Sequence, residues 1–526
     1  MAQGQLRKLS GCCTPEVMSM STAQHDVLII GAGLSGIGAA CHLRRKSPQL
    51  SYQILERRQA IGGTWDLFRY PGIRSDSDMC TFGYSFRPWN APKILADGPA
   101  IRDYLRDTAE EYGVTENIRF GRQVQRYDWD SAQQLWTVSH RDEASGTEER
   151  STARFLIVAT GYYNYDQGYM PDYPGAKDFA GQLLHPQHWP EDLDYNGKKV
   201  VVIGSGATAI TLVPSMADKA AKVTMLQRSP TYIMSVPSVD PISARLRRFL
   251  PDKLVYGAAR ARNIGIQRLL YLTARQKPKV VRRLLRMATR RQLGADVDMK
   301  HFTPRYNPWD ERLCVVPDGD LFKALRQGKA EIITDEIQRF CPEGIRLKSG
   351  ALIEADIVVS ATGLQLQMGG GAPLHVDGQA VPMSERMVYR GCMLEGVPNA
   401  AMIFGYTNAS WTLKADLVSE YICRLLNHMR RKGLGAVQPR LQEAAARTED
   451  TVMGALSSGY VRRGKDSLPK QGRQAPWTVP NDYFRDIPTL KLAPLADPAL
   501  EFLPAAGKAA PKGRSRQRLR AEAAAV

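Results

Sequence analysis

Two short apolar runs, each closing on a glycine-rich turn, constrain this chain more than any other feature. Asp26-Val-Leu-Ile-Ile30 runs into Gly31-Ala-Gly33-Leu-Ser35-Gly36, and Lys199-Val-Val-Val-Ile203 runs into Gly204-Ser205-Gly206-Ala207-Thr208-Ala209. A helical stretch follows each turn, then a second apolar run: Tyr52 to Leu55 after the first, Val223 to Leu226 after the second. Strand, tight turn, helix and strand make a βαβ unit. A chain carrying two is expected to be α/β, with two Rossmann-like dinucleotide-binding domains. Residues 155–161 form a further buried strand ending in Ala159-Thr160-Gly161, and its twin at 357–363 ends in Ala361-Thr362-Gly363.

The spacing inside each turn has a mechanical reading. Gly31 permits the tight turn, Gly33 lets the backbone approach a pyrophosphate, and Gly36 lets helix and strand pack closely. The helix N-terminus, with Ser35 in its first turn, then faces the phosphate charge. Glu56 stands about twenty residues further on, where a carboxylate accepts hydrogen bonds from a ribose. In the second turn Gly204, Gly206 and Ala209 hold the same three positions, with Ser205, Ala207 and Thr208 between them. No acid ends its second strand; Gln227-Arg228-Ser229 stands there instead. An acid repels a 2′-phosphate and Arg228 pairs with it, which favours NADPH over NADH. Two dinucleotide sites imply a bound FAD and an NADPH that reduces it.

These units divide the chain. The FAD-binding domain is expected at 25–165 and 350–500, a linker at 166–195, and the NADP-binding domain at 196–349. Residues 1–24 read as a flexible extension and 503–526 as a disordered basic tail. Lys and Arg total 71 against 53 acids, a net charge of +18. Such a surplus favours anionic partners. Much of it sits in a helical insertion at about 240–298, where fifteen Lys or Arg between 245 and 291 face a single acid, Asp252. Val280, Val281, Leu284, Leu285 and Ala288 are expected on one helical face there. The insertion admits three readings: a lining of the substrate entrance, a peripheral contact with anionic membrane, or a nucleic-acid surface. No nucleic-acid-binding motif accompanies the last, and no nucleic acid is expected. The eight Cys are scattered without a CxxC pair. That excludes a disulfide scaffold, a zinc site and the paired-thiol chemistry of flavin disulfide reductases; no metal is expected. No apolar run reaches the roughly 18 residues of a membrane span, and the N-terminus lacks a signal-peptide core, so the expected location is cytoplasmic.

Two longer motifs add a resemblance. Phe179-x-Gly181-x-x-x-His185-x-x-x-Trp189-Pro190 lies between the two units. Gly62-Gly63-Thr64-Trp65, Tyr70-Pro71-Gly72 and Asp76 lie in the first. Together they resemble the fingerprints of type I Baeyer–Villiger monooxygenases, within the flavin-containing monooxygenase superfamily. The related N- and S-oxygenases carry Tyr or Phe where this chain has Trp189. The segments from Trp65 to Asp78, Tyr306 to Arg312 and Gly405 to Lys414 are similar to the ethionamide-activating subgroup. The likeness runs from about residue 25 to about 490.

The resemblance implies a C4a-peroxyflavin that converts ketones to esters and oxygenates thioethers and thioamides, with molecular oxygen and a small lipophilic ketone or organosulfur compound as substrates. It assigns Arg312 as the fixed positive charge beside the peroxide and Asp76 as the group that orients it. It places Thr64, Trp65, Asp66, Leu67, Arg74, Asp76 and Val124 at the cofactor, with Asp78 a further candidate. His185 reads better as a packed linker residue than as an acid or base. The helix after Ser410-Trp411-Thr412 is expected to point its N-terminus at the flavin. One position departs from the pattern: Glu311 stands where many members carry a Lys that helps bind the 2′-phosphate, so Arg228 has to carry that preference. The competing classes are a flavin N- or S-oxygenase without ketone activity and a non-enzymatic basic binding protein on an oxidoreductase scaffold.

Overall fold

The computed structural model describes residues 24–294, 297–311, 313–442, 447–454 and 456–506. Arg312, the extension up to residue 23 and the tail from residue 507 lie outside the described residues.

Strand β1 (His25–Ile30) is the axis of the first unit. Helix α1 (Leu34–Lys46) crosses over to β2 (Tyr52–Leu55), which pairs with β1 in parallel. Three helices follow, α2 (Thr64–Leu67), α3 (Met79–Phe82) and α4 (Gly98–Glu111), before β3 (Ile118–Arg119) extends the sheet beyond β2. An antiparallel meander of β4 (Arg122–Asp130), β5 (Leu135–Asp142) and β6 (Glu148–Val158) returns to the other side of β1. Val27, Ile29 and Ile54 pack on one face of this sheet, Leu28, Ile30 and Leu55 on the other. Side chains alternate along a strand, so the unbroken apolar run from Val27 is what a strand covered on both faces needs.

Strand β7 (Tyr163–Gly168) leads out of this unit and β8 (Gln182–Leu184) enters the next. There β9 (Lys199–Ile203), α5 (Ala207–Met216) and β10 (Lys222–Gln227) form the second βαβ unit. β11 (Ile233–Val236) leads into α6 (Pro241–Leu246), α7 (Asp252–Gln276) and α8 (Pro278–Leu293), the expected insertion. β12 (Cys314–Pro317) pairs back on β11, and α9 (Asp320–Arg326) leads to β13 (Ala330–Thr334) beside β10. A hairpin set, β14 (Ile337–Cys341), β15 (Gly344–Leu347) and β16 (Leu352–Glu354), precedes β17 (Ile357–Ser360). The second sheet runs β13-β10-β9-β17-β8. After it, Leu374–Val376 joins β4, Ala400–Met402 joins β6, and α10 (Trp411–Lys432) lies along α1.

Three sequence expectations shift. β17 hydrogen-bonds between β9 and β8, so the second unit holds the chain to residue 360 rather than 349, and the linker strand β8 is its edge. The C-terminal segment is a strand to Pro504, paired with Leu434–Pro439, so ordered pairing continues past residue 503. The apolar face assigned to α8 splits: Val281 and Leu285 are buried, whereas Val280, Leu284 and Ala288 face solvent.

Candidate active site

The two glycine turns are built alike. Gly31 has φ +103°, and a Cβ there would stand 2.8 Å from the Ala159 carbonyl oxygen; Gly204 has φ +136°, and its Cβ would stand 2.4 Å from the Ala361 oxygen. Each Ala-Thr-Gly turn therefore walls a glycine turn, which accounts for the twinned pattern. A Cβ on Gly36 would lie 1.8 Å from the Gly31 oxygen, so helix and strand touch there with no room for a side chain.

The first turn opens on a cavity of about 670 Å³. Gly33 begins α1 without a side-chain cap, leaving first-turn N–H groups to a ligand. Gly63 faces it across a gap that a Cβ on Gly33 would narrow to 3.4 Å. Glu56 is buried at the end of β2; one carboxylate oxygen accepts from the Ala32 N–H at 2.6 Å, the other from the Arg58 N–H at 2.8 Å. Burial pushes its carboxyl upward and these backbone bonds oppose the shift. Each oxygen keeps acceptor capacity for a ribose hydroxyl. An uncapped helix start, a cradle only glycine leaves open and a buried acceptor suit the diphosphate and ribose of a dinucleotide such as FAD.

Ser35 accepts the Trp411 indole N–H at 2.8 Å, and Trp411 stacks on Tyr162 at 5.2 Å. Thr64 bonds the Tyr165 hydroxyl, and Trp65 meets the edge of Phe82 at 5.6 Å. Thr64, Trp65, exposed Asp76 and Val124 all line the cavity. So do Thr407, Asn408, Ala409 and Trp411, which puts the first turn of α10 at its wall. Trp309 and Leu313, on either side of Arg312 in sequence, line it as well.

Sequence reasoning missed two parts of this wall. The Asp78 carboxylate accepts from Asn263 at 2.8 Å and Gln267 at 2.9 Å, fastening α7 over α3. Nothing local joins residue 78 to residues 263 and 267; the amides' spacing of four on one helix was the only signal. Tyr406 lines the cavity and donates to Asp486 at 2.7 Å, which also holds the buried Lys414 ammonium at 2.6 Å. Burial raises the Tyr406 phenol.

Several named residues have other duties. Asp66 is buried and its carboxylate is taken by Arg58 at 2.7 Å and Arg69 at 2.6 Å. Leu67 packs into the core of the second unit. Arg74 reaches Asp320 at the start of α9 at 2.6 Å, tying the two units together. Gln227 turns inward, donating to the His301 carbonyl at 2.8 Å and the Thr334 hydroxyl at 2.9 Å. Ala209 is core. At the second turn Gly206 and Ala207 are exposed, Ser205 donates to the Ser229 carbonyl at 3.0 Å, Thr208 bonds the Tyr70 hydroxyl, and Arg228 reaches into solvent. Half-buried Glu311 feels both Arg228 and Arg462; its own burial still raises its carboxyl.

His185 is packed. The Gln187 N–H donates to its Nδ1 at 3.2 Å, so that nitrogen is bare, and its Nε2–H donates to the Gly363 carbonyl at 3.1 Å. The ring is thus neutral, and burial lowers its pKa. A Cβ on Gly168 would lie 1.9 Å from the ring, which explains the small residue beneath it.

Comparison with known proteins agrees with this geometry. A family model described as pyridine nucleotide-disulphide oxidoreductase matches residues 28–252. Yet none of the six described cysteines is joined in a disulfide, and five of them are buried. The chain is 56% identical over 488 residues to the putative FAD-containing monooxygenase MymA of Mycobacterium tuberculosis, covering 92% of this chain and 98% of that one. It is 55% identical over 480 residues to the probable FAD-binding monooxygenase AlmA of an Acinetobacter species (91% and 96% covered). It is 50% identical over 483 residues to the FAD-containing monooxygenase EthA of M. tuberculosis (91% and 98%). Among solved structures, oxidized steroid monooxygenase bound to NADP superposes with a TM-score of 0.71 at 22% identity, covering 91% of this chain and 99% of that one. OTEMO in complex with FAD and NADP gives 0.66 at 22%, with 80% and 88% covered. Both share the fold.

Proposed function

Because the chain belongs to the FAD-containing monooxygenases, we propose that it spends NADPH and molecular oxygen to convert ketones to esters, and that it also oxygenates thioethers and thioamides. One oxygen atom enters the substrate and the other leaves as water. FAD supplies the oxygen activation when bound.

The observation that carries this reading is the continuity of one cavity. It begins at the uncapped start of α1 and buried Glu56, and it extends to an apolar chamber lined by Met234, Val236, Leu270, Leu313 and Val315. The α1 N-terminus takes the pyrophosphate and Glu56 the ribose. Arg228 takes the 2′-phosphate of NADPH at the exposed second turn. Arg312 supplies the fixed positive charge where negative charge develops, supported by its cavity-lining sequence neighbours Trp309 and Leu313. Asp76, exposed at the same cavity, orients that guanidinium. The apolar walls exclude water and favour a lipophilic ketone or organosulfur substrate. The basic helices serve as a contact for anionic membrane.

The test is product analysis by mass spectrometry with FAD-loaded enzyme, NADPH, a methyl ketone and an aryl thioether. Ester, with or without sulfoxide, supports the proposal. Sulfoxide alone across a broad ketone panel moves the assignment to an S-oxygenase.

A further inference from the structure

The insertion between β11 and β12 leaves an apolar surface that no part of the described chain covers. The turn joining α6 to α7 exposes Phe249 by 78%, with Leu250, Ile242 and Leu246 also exposed around it. Along α7, Leu254, Ala258, Ala261, Gly265 and Leu269 recur every three or four residues and therefore share one face. All five are exposed, Leu254 by 62% and Leu269 by 67%. No charged side chain interrupts this stripe. Leu284 and Met287 of α8 are exposed as well. Scattered exposed apolar residues need no explanation, but a contiguous protruding set on one element marks a contact surface.

The charges beside it indicate the partner. Arg245, Arg248 and Lys253 are exposed at the same turn, and the nearby acid, Asp252, is 3.7 Å from Arg247. Bulky apolar side chains at the tip, cations on the flanks and almost no acids are the composition of a segment that lies in the interface of an anionic bilayer. The aliphatic stems of Arg and Lys can follow the apolar tip while their charges stay at the headgroups. A second copy of this chain is the poorer fit, because a two-fold contact through this face would set like charges against one another. No described helix is long and apolar enough to cross a membrane, so the contact is one of surface docking.

The cavity meets the same surface. Val239, just ahead of α6, and Ile266, midway along α7 and next to Gly265 of the stripe, both line the cavity and stand 41% and 56% exposed, so a mouth opens beside the outer face of α7. Asn263 and Gln267, on the inner side of α7, hold Asp78. One helix thus presents an amide face to the site and an apolar face to the outside.

We propose that the α6–α7 turn and the outer stripe of α7 dock on an anionic lipid bilayer, and that bilayer-dissolved substrate enters the cavity past Val239 and Ile266 without passing through bulk water. The inference rests on the monooxygenase reading for its substrate and deepens it by naming the source of that substrate.

The experiment uses the FAD-loaded full chain with vesicles of phosphatidylcholine alone or mixed with phosphatidylglycerol. The protein is expected to pellet with the mixed vesicles at low salt, to pellet less at high salt, and to bind pure phosphatidylcholine at least tenfold more weakly. The double variant F249E/L254E, altered only at exposed positions, is expected to keep its flavin absorbance and its turnover of a water-soluble thioether. It is also expected to lose vesicle binding by tenfold or more, and to lose turnover of a long-chain ketone held in the vesicles. No pelleting of the native protein at low salt overturns the proposal, as does undiminished pelleting of the variant. A dimer in sedimentation equilibrium that the variant abolishes, without vesicle binding, assigns the face to a second copy and also overturns it. Vesicle binding is read without turnover, so failure of the monooxygenase reading would appear separately, as absent product from the soluble thioether in both proteins.

Discussion

Replacing Arg228 with Ala is expected to raise KM for NADPH about tenfold while leaving kcat and the KM for NADH unchanged. Gln227 spends its amide inward on His301 and Thr334, so at the end of β10 it is Arg228 that remains directed outward to meet a 2′-phosphate. A hydrogen bond to a charged group contributes about 1.5–3 kcal/mol. Exposure to water, together with the fields of Glu311 and Glu336, brings Arg228 to the low end of that range. About 1.4 kcal/mol is a factor of ten. Glu311→Gln removes one opposing charge and should lower KM for NADPH two- to threefold, about 0.5 kcal/mol, the size of an exposed charge interaction. If Glu311 acts by competing for Arg228, that gain shrinks in the double variant, as a coupled pair requires. The assay is steady-state oxidation of NADPH and NADH with a saturating ketone. Equal rises in both KM values would refute the assignment of Arg228 to the 2′-phosphate; so would an unchanged KM for NADPH.

Other expectations follow from single contacts. Gly36→Ala should yield protein without yellow FAD absorbance and with a lowered melting temperature, because its Cβ would sit 1.8 Å from the Gly31 oxygen. Asp66→Asn leaves the partly exposed Arg58 and Arg69 without their buried carboxylate and should cost about 1.5 kcal/mol in denaturant unfolding, the low end for hydrogen bonds to a charged group. Arg312→Ala should lower product formation at least a hundredfold while NADPH oxidation continues and hydrogen peroxide appears, a partition read by peroxide assay. Stability should fall as pH drops from about 6.5 to about 4: burial lowers the His140 pKa to about 4 in the folded chain, so the unfolded chain binds the proton first. The slope from this residue is at most ~1.4 kcal/mol per pH unit, its contribution is fully present above pH 6.5, and His140→Gln should flatten it in urea titrations at pH 7.5, 6 and 5.

The legible parts of this molecule are those in which a local pattern has one mechanical solution. Gly31, Gly36 and Gly204 could be assigned from sequence because a turn, a close crossing and a positive φ each exclude a side chain, and the same contacts stand in the structure. The position of Glu56 was legible because a strand of fixed length delivers the residue that follows it to a fixed place, here a buried place on the cavity wall. What could not be read is side-chain direction on short elements and partnership across long separations. The resemblance placed Asp66 and Leu67 at the cofactor, whereas in the structure three Arg side chains hold the Asp66 carboxylate and Leu67 joins a neighbouring core. Gln227 ends a strand covered on both faces, and its amide is drawn inward by the His301 carbonyl and the Thr334 hydroxyl, partners far away in sequence. The α8 pattern failed for a related reason: Val280 and Val281, or Leu284 and Leu285, are adjacent in sequence and stand about 100° apart on a helix. α8 turns only one of each pair to the core, and the other is left outside among arginines. Read as a single buried stripe, the pattern conceals the outward apolar surface. Split by the geometry of the helix, it shows that the insertion turns one face to the catalytic cavity and leaves another that water alone does not account for.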